Sequence, residues 1–391
     1  MNWAEKQEKD FTITASKMTI AINAIFLQRG QLEGYGYFVQ EIVRRWVAQY
    51  PQHQFVLVFD RPADSSFRFA ENVTLVEVGP PARHALGFLY WYNLRLPMAL
   101  RKYKPDVLVQ PYGFCSITTN IPQVMVVHDL SFKHFPHFVP VYHRWFYQLF
   151  TGAFIKKATQ LATVSDFSAK DIIQHYPKAA GKINIVYSAA KPFFQPLDYE
   201  VKAAVKAQYA NDCEYFLFTG GIHPRKNLLN LLKAFSVFKK WQRSNMQLLV
   251  VGRKAWQYED VLEKLSTYKF REDVVLLDYL DEEELAKITA SAYAAVYPSF
   301  WEGFGVPIVE AMQSGVPIIT SNTSAMPETG GDAALYADPA DPNTIGQLMK
   351  QLYKDEQLRS RLIAKGLEHS KQFSWERTAQ LLWTGLEKAK G

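Results

Sequence analysis

The sequence predicts an α/β protein built from two doubly wound parallel-sheet domains that face a cleft. Three observations carry this. Short apolar runs alternate with longer amphipathic stretches in both halves of the chain. Several of those runs are almost wholly apolar, as expected of parallel strands covered on both faces. The chain has 391 residues, and at ~150 residues per domain that length predicts two domains rather than one.

Strands are predicted at 18–25, 54–59, 73–78, 106–110, 123–127 and 160–164 in the first half, and at 215–219, 247–251, 273–277, 293–297 and 316–320 in the second. Helical patterns lie between them. The clearest is 227–241, where Leu228, Leu231, Leu232, Phe235 and Phe238 share a face. Strand–helix alternation in both halves is the pattern of two open, Rossmann-like sheets. Two prolines in the segment 188–199 (SAAKPFFQPLDY) interrupt both periods and mark the break. The predicted organisation is a polar tail at 1–17, a first domain at 18–190, a second domain at 191–373, and a closing helix at 374–391 able to pack back on the first domain. Ser374 can cap that helix, whose Trp375, Ala379, Leu382 and Leu386 share a face. Ligands of such sheets bind at the carboxyl ends of the strands, so the loops there are where a site is sought.

Apolar residues make up 48% of the chain, enough for ordinary cores. A formal net charge of +6 permits an anionic partner without naming one. No nucleic-acid reader motif occurs, and nucleic acid is not an expected partner. Cys115 and Cys213 are the only cysteines and lie far apart, which excludes a disulfide framework and argues against a cysteine metal site. No apolar run reaches the ~18–20 residues that span a bilayer. Residues 1–17 lack the apolar core of a signal peptide. The expected location is cytoplasmic, or peripheral on the inner face of the cell membrane.

After the strand at 215–219 the chain reads G-G-I-H-P-R-K-N, ending at Asn227. Gly220 and Gly221 allow a tight turn, and Pro224 suits a helix start. Arg225 and Lys226 fall at or near that start, where cations oppose the helix dipole. They make sense when an anion occupies the site. Together with free backbone N–H groups they would hold a pyrophosphate. Neither GxxxxGK[ST] nor GxGxxG is present. The competing reading is a pair of solvated surface charges.

The stretch 297–310 (YPSFWEGFGVPIVE) places Glu302 on a loop after a strand. Glu310 falls about one turn inside a short helix that Pro307 opens and Gly315 stops. Gly303 and Gly305 let the backbone approach a ligand closely. Carboxylates accept hydrogen bonds from hydroxyls and repel phosphate, so both glutamates are assigned to sugar and ribose hydroxyls. Alone, Glu310 could complement the helix dipole and Glu302 could be a solvated charge. With Arg225 and Lys226 at the end of another strand, the binding reading is the stronger one.

Together these motifs resemble the family 4 retaining glycosyltransferases, also called group 1, over essentially the whole chain. The family's P-R-K-N loop is matched at 224–227, its E-G-F-G-x-P-x-x-E from Glu302 to Glu310, its G-x-P-[VI]-[IV] strand at 315–319 and its S-x-x-P-E at 324–328. The first half is similar at Gly34-Tyr-Gly36, at V-H-D (127–129) and at T-V-S-x-x-S (163–168). The resemblance implies the GT-B fold of two Rossmann-like domains, with 18–190 on the acceptor side and 191–373 binding the nucleotide-sugar. It implies that Arg225 and Lys226, on the turn opened by Gly221, bind the donor diphosphate and neutralise the leaving group. Glu310 would hold the ribose. Glu302, with the amides of Gly303, Phe304 and Gly305, would bind hydroxyls of the donor sugar. Tyr279 and Leu280 would contact the base, Gly34 and Gly36 would lie near the donor phosphate and acceptor, and His128 near the reacting carbon. Two departures stand out. Ser188-Ala189 replaces the Asn or Gly often found after V-Y, and Glu33 precedes Gly34 where many members have glycine.

Cleaving a sugar–phosphate bond develops negative charge on the leaving diphosphate, and stabilising that charge is the largest help a protein can give. No D-x-D motif at a strand end offers a metal site, and the cation pair can substitute for one, so neither metal nor cofactor is expected. The resemblance implies retention of configuration by front-face attack of the acceptor hydroxyl, with His128 contacting the donor sugar or positioning the acceptor. The expected function is transfer of a hexosyl group from a nucleotide-diphosphate sugar to a saccharide or lipid-linked acceptor, in cell-surface polysaccharide or glycolipid synthesis. A GDP- or UDP-hexose is the expected donor, with mannose favoured. Two alternatives belong to other classes. One is a non-catalytic nucleotide-sugar-binding scaffold, against which the intact Arg225, Lys226, Glu302 and Glu310 argue. The other is a glycoside hydrolase using the two glutamates, which would not need Arg225 and Lys226. The segments 88–104 and 133–157 mix aromatics with cations. They suit an anionic membrane surface and, equally, a core fringed by solvated charges.

Overall fold

The computed structural model describes residues 17–391 except 31, 33, 83 and 254–258, so the tail predicted at 1–17 lies, but for Lys17, outside the described residues. Seven strands form the first sheet: β1 (Thr19–Asn23), β2 (Gln54–Phe59), β3 (Val73–Glu77), β4 (Val107–Gln110), β5 (Gln123–Val126), β6 (Gln160–Thr163) and β7 (Ile183–Ile185). Their order is β3-β2-β1-β4-β5-β6-β7. Six form the second: β8 (Tyr215–Thr219), β9 (Gln247–Val251), β10 (Val274–Leu277), β11 (Ala294–Tyr297), β12 (Ile318–Ser321) and β13 (Ala334–Ala337), in the order β10-β9-β8-β11-β12-β13. The second sheet is parallel throughout. Each order runs outward from its first strand and then reverses, which is the doubly wound pattern. The reversals fall between β1 and β4 and between β8 and β11.

All eleven predicted strands are present, to within two residues at either end. β7 and β13 are additions. They have three and four residues and are partly exposed, too short and too mixed to stand out as apolar runs. In the second sheet alternate residues serve opposite faces. Phe216, Phe218, Leu248 and Val250 pack with Leu231, Phe235 and Phe238 on one side. Tyr215, Leu217, Leu249 and Val251 pack with Ile288, Ile308 and Met312 on the other.

The helix after β8 is Leu228–Trp241. Pro224 opens only a three-residue 3₁₀ turn, Pro224–Lys226. Asn227 then turns left-handed at φ 64° before the helix begins. Arg225 and Lys226 therefore precede the helix on a turn of their own.

The chain divides into two compact units whose limits differ from those of the sheets. One comprises residues up to 125 with 157–160 and 386–391; the other comprises 126–156 and 161–385. In the first, Asn23 at the end of β1 donates to Gln110 Oε1 at 2.9 Å and to the Tyr92 hydroxyl at 2.8 Å. In the second, the closing helix Trp375–Lys390 starts with the Trp375 indole donating to Ala190 O at 3.0 Å. Among the described residues no helix is long and apolar enough to cross a membrane.

Candidate active site

The second unit holds most of the predicted site, and strand order explains why. β8 and β11 are neighbours, with Phe216 opposite Ala294 and Leu217 opposite Ala295. The loops leaving their carboxyl ends, 220–227 and 298–305, emerge side by side. Gly252, after β9, packs on the first of them so closely that a Cβ there would sit 2.0 Å from Gly220 O. The turn itself is fixed by four hydrogen bonds. His223 Nδ1 accepts from Arg225 N at 3.1 Å. The buried Asn227 amide donates to Pro298 O at 2.8 Å and Pro339 O at 2.7 Å. Phe300 N donates to Arg225 O at 2.9 Å.

This brings two cations onto one carboxylate. Arg225 Nη1 lies 3.1 Å from Glu302 Oε2, and Lys226 Nζ lies 2.8 Å from Glu302 Oε1. Lys226 Nζ also donates to the Tyr297 hydroxyl at 2.5 Å, and Ser299 Oγ to Glu302 Oε1 at 2.5 Å. Arg225 donates further to Trp301 O. Burial alone would raise the Glu302 carboxyl, but Arg225 and Lys226 outweigh it and hold it at about 2. Burial lowers the Lys226 ammonium against the pull of Glu302. Burial also opposes the charge on Arg225, and Glu302 more than restores it. Burial, then Arg225 and Lys226, push the His223 imidazole down to about 4. His223 is thus neutral at physiological pH and able to accept from Arg225 N. Glu302 pairs directly with both cations, and Asp129 reinforces their charge at longer range.

Glu310 is the fifth residue of the helix Val306–Gln313 and is 8% exposed. Its carboxylate accepts no hydrogen bond among the described residues. Burial pushes it up to about 7, with Lys191 opposing and Glu282 reinforcing. Tyr297, at the end of β11, lies within electrostatic reach of both Glu302 and Glu310.

The Glu302 loop rests on segments from far away in sequence. A Cβ on Gly303 would meet His128 O at 2.2 Å, so only glycine permits that approach. Gly303 O accepts from Ser165 Oγ at 2.6 Å and Ser168 Oγ at 3.1 Å. Glu328 accepts from Asp166 N at 2.7 Å and Phe167 N at 2.9 Å, at the start of the helix Asp166–His175. The V-H-D, T-V-S-x-x-S, E-G-F-G and S-x-x-P-E segments therefore converge.

Other predicted residues fall elsewhere. Phe304 is 4% exposed. Its ring packs on Phe373 and its carbonyl accepts from Thr329 at 2.6 Å, so its side chain is core. Gly221 sits half-buried on the turn before Arg225. Tyr279 and Leu280 follow β10 at the sheet edge, Tyr279 60% exposed and Leu280 packed on the core. Gly34 and Gly36 belong to the first unit, in the first turn of the helix Gly34–Gln49. A Cβ at Gly36 would lie 2.5 Å from Phe26 O, whereas Gly34 faces open space. Tyr297, Ser299, His223 and Asp129, which raises the charge preference of Arg225, are site neighbours that residue type alone does not single out. Each lies within five residues of one that was predicted.

Comparison with known proteins agrees with this architecture. Residues 33–190 match the model of Glycosyltransferase Family 4, and residues 202–369 that of Glycosyl transferases group 1. The chain is 34% identical over 284 residues to O-antigen chain mannosyltransferase B of Escherichia coli, covering 72% of this chain and 74% of that protein. Among solved structures, sucrose-phosphate synthase from Thermosynechococcus elongatus superposes at a TM-score of 0.77 and 18% identity, over 95% of this chain and 98% of that one. HepE of Anabaena in complex with UDP-glucose does so at 0.73 and 16%, over 95% and 99%. At such identities the structural likenesses speak for the two-sheet GT-B fold alone. The mannosyltransferase relative and the two family models go further, and by them this chain belongs to the group 1, or family 4, glycosyltransferases.

Proposed function

We propose that the chain moves a hexosyl group, mannosyl by preference, from a nucleotide-diphosphate sugar to a saccharide or lipid-linked acceptor, with retention of configuration and without a catalytic metal. The observation that carries this is the pair of half-buried cations, Arg225 and Lys226, held by Glu302 at the ends of β8 and β11. Glu302, with Asp129 at longer range, holds the two cations side by side. A guanidinium has five N–H donors and an ammonium three, so both can bind diphosphate oxygens while staying paired. They stabilise the departing diphosphate, the role a metal would otherwise fill. Glu302 is poorly suited to be a nucleophile or general acid. Oε1 is taken by Lys226 and Ser299 and Oε2 by Arg225, which disfavours the two-carboxylate hydrolase. Its remaining lone pairs can accept from sugar hydroxyls. Glu310 would take the ribose diol, and His128 would contact the donor sugar or position the acceptor. The mannosyl preference and saccharide acceptor rest on the Escherichia coli relative, and the nucleotide-sugar donor on the Anabaena complex.

An anionic membrane surface at the inner face of the cell membrane is part of the same reading. Leu86, Tyr90, Leu94 and Met98 are exposed at four-residue spacing along residues 85–103. Arg101, Lys102 and Lys104 are exposed at the end of that stretch. Sedimentation with anionic but not neutral vesicles at low salt is the expected result.

The test of the transferase reading is a thermal-shift panel of GDP- and UDP-hexoses, followed by turnover with the preferred donor. Lys226→Ala should shrink the donor-dependent shift and lower the rate by on the order of 10²-fold. The rate should not require added Mg²⁺ or Mn²⁺, and the product should keep the donor's anomeric configuration. Donor binding without turnover on any acceptor would point to the scaffold, and bulk release of free hexose to a hydrolase.

A further inference from the structure

The geometry points to a divalent-metal site formed by His134, Asp171 and His175, apart from the donor-binding residues; we infer that it takes a transition ion of the Zn²⁺ class. Asp171 and His175 lie four residues apart on the helix Asp166–His175 and so share a face. His134 closes the short helix Ser131–His134. His134 Nε2 is 2.9 Å from Asp171 Oδ1 and 3.1 Å from Oδ2. His175 Nδ1 is 3.2 Å from Oδ1. One ligand atom from each residue lies within 4.8 Å of the others. Tetrahedral Zn²⁺ with bonds of ~2.0–2.1 Å sets its ligand atoms ~3.3 Å apart. The two nitrogen–oxygen separations therefore need to widen only slightly to admit an ion.

The donor set is equally apt. Two imidazoles and a carboxylate suit Zn²⁺, Co²⁺ and Ni²⁺ rather than Mg²⁺ or Ca²⁺. Asp171 is 8% exposed and both histidine side chains are 28% exposed, so the site is closed behind the carboxylate and open in front. That leaves a fourth position for water. His175 Nδ1 also lies 3.0 Å from Asp171 O. Loading the ion therefore means that any proton on Nδ1 leaves for solvent and its lone pair turns to the metal.

The ion would serve the fold rather than the chemistry. The His134 ring stacks on the Trp301 indole with centroids 3.8 Å apart and planes at 23°. Trp301 precedes Glu302, and its carbonyl accepts from Arg225. Tying His134 to the helix through a metal would fix that stack and stiffen the Glu302 loop from behind. The inference stands whether or not the transferase reading holds.

The test is titration of Co²⁺ into the metal-free full chain, read by visible absorption. One equivalent should give the d–d bands of four-coordinate cobalt, and Zn²⁺ should displace it and raise Tm. His175→Ala, which leaves the His134–Trp301 stack alone, and Asp171→Asn should each weaken cobalt binding by at least about tenfold, by analogy with losses of metal-site partners. His84→Ala, in the other unit, should not. Circular dichroism establishes that each variant is folded. Absence of the bands at one equivalent, or unchanged affinity in the folded His175→Ala or Asp171→Asn variant, overturns the site and leaves a hydrogen-bonded histidine–aspartate cluster.

Discussion

Glu302 and Glu310 belong to one short motif and are almost equally buried, yet the fold treats them in opposite ways. Glu302 is held at about 2 by two cations, and Glu310 is pushed to about 7 with only Lys191 in opposition. Burial therefore does not decide the charge of a carboxyl; its partners do. One residue is a fixed anion that keeps its cations in place. The other, with no cation in direct contact among the described residues, is driven towards its neutral form by burial.

The comparison can be broken from either side. Glu302→Gln should have the largest effect, because it removes the one carboxylate, among the described residues, in direct contact with the half-buried Arg225 and Lys226. A loss of about 3–5 kcal/mol in denaturant unfolding at pH 7 is expected, and a loss near zero would mean the cations do not depend on it. Glu310→Gln should act in the opposite direction. A folded value raised from about 4.5 to about 7 gives stability that is full below pH 4.5 and lost as pH rises through 7, up to about 3 kcal/mol. The variant should lose that slope and outlast the parent at pH 8 without donor, while binding donor more weakly. Ser299→Ala removes one hydrogen bond to a charged oxygen and should cost about 2 kcal/mol. It should also move acid unfolding to higher pH, since the stabilisation by a depressed carboxyl is lost as pH falls towards its folded value. The smallest effect is expected for Lys191→Met. Without the opposing cation Glu310 should titrate above 7, seen as a shift in the pH dependence of Tm.

Much of this is legible in the sequence. Glu302, Arg225 and Lys226 stand out because each follows an almost wholly apolar strand on a glycine-containing loop, where an open sheet binds its ligands. Their pairing is not legible, because nothing local says that β8 and β11 are neighbours. The interruption at Asn227 is hidden for a similar reason. Its left-handed backbone is held by carbonyls of Pro298 and Pro339, a tertiary contact that overrides the helical start read from Pro224. β7 and β13 escape because three or four partly exposed residues carry no periodicity. His134, Asp171 and His175 escape because two lie on a helix and the third comes from a separate element more than thirty residues earlier.

The carboxylate that Glu328 presses against Asp166 N and Phe167 N has one more consequence. Those amides head a ten-residue helix, whose dipole would otherwise attract a phosphate. The chain has answered that pull with a tethered anion of its own, so a nucleotide straying there would be repelled. In the proposed function this leaves Arg225 and Lys226, rather than that helix, to take the diphosphate.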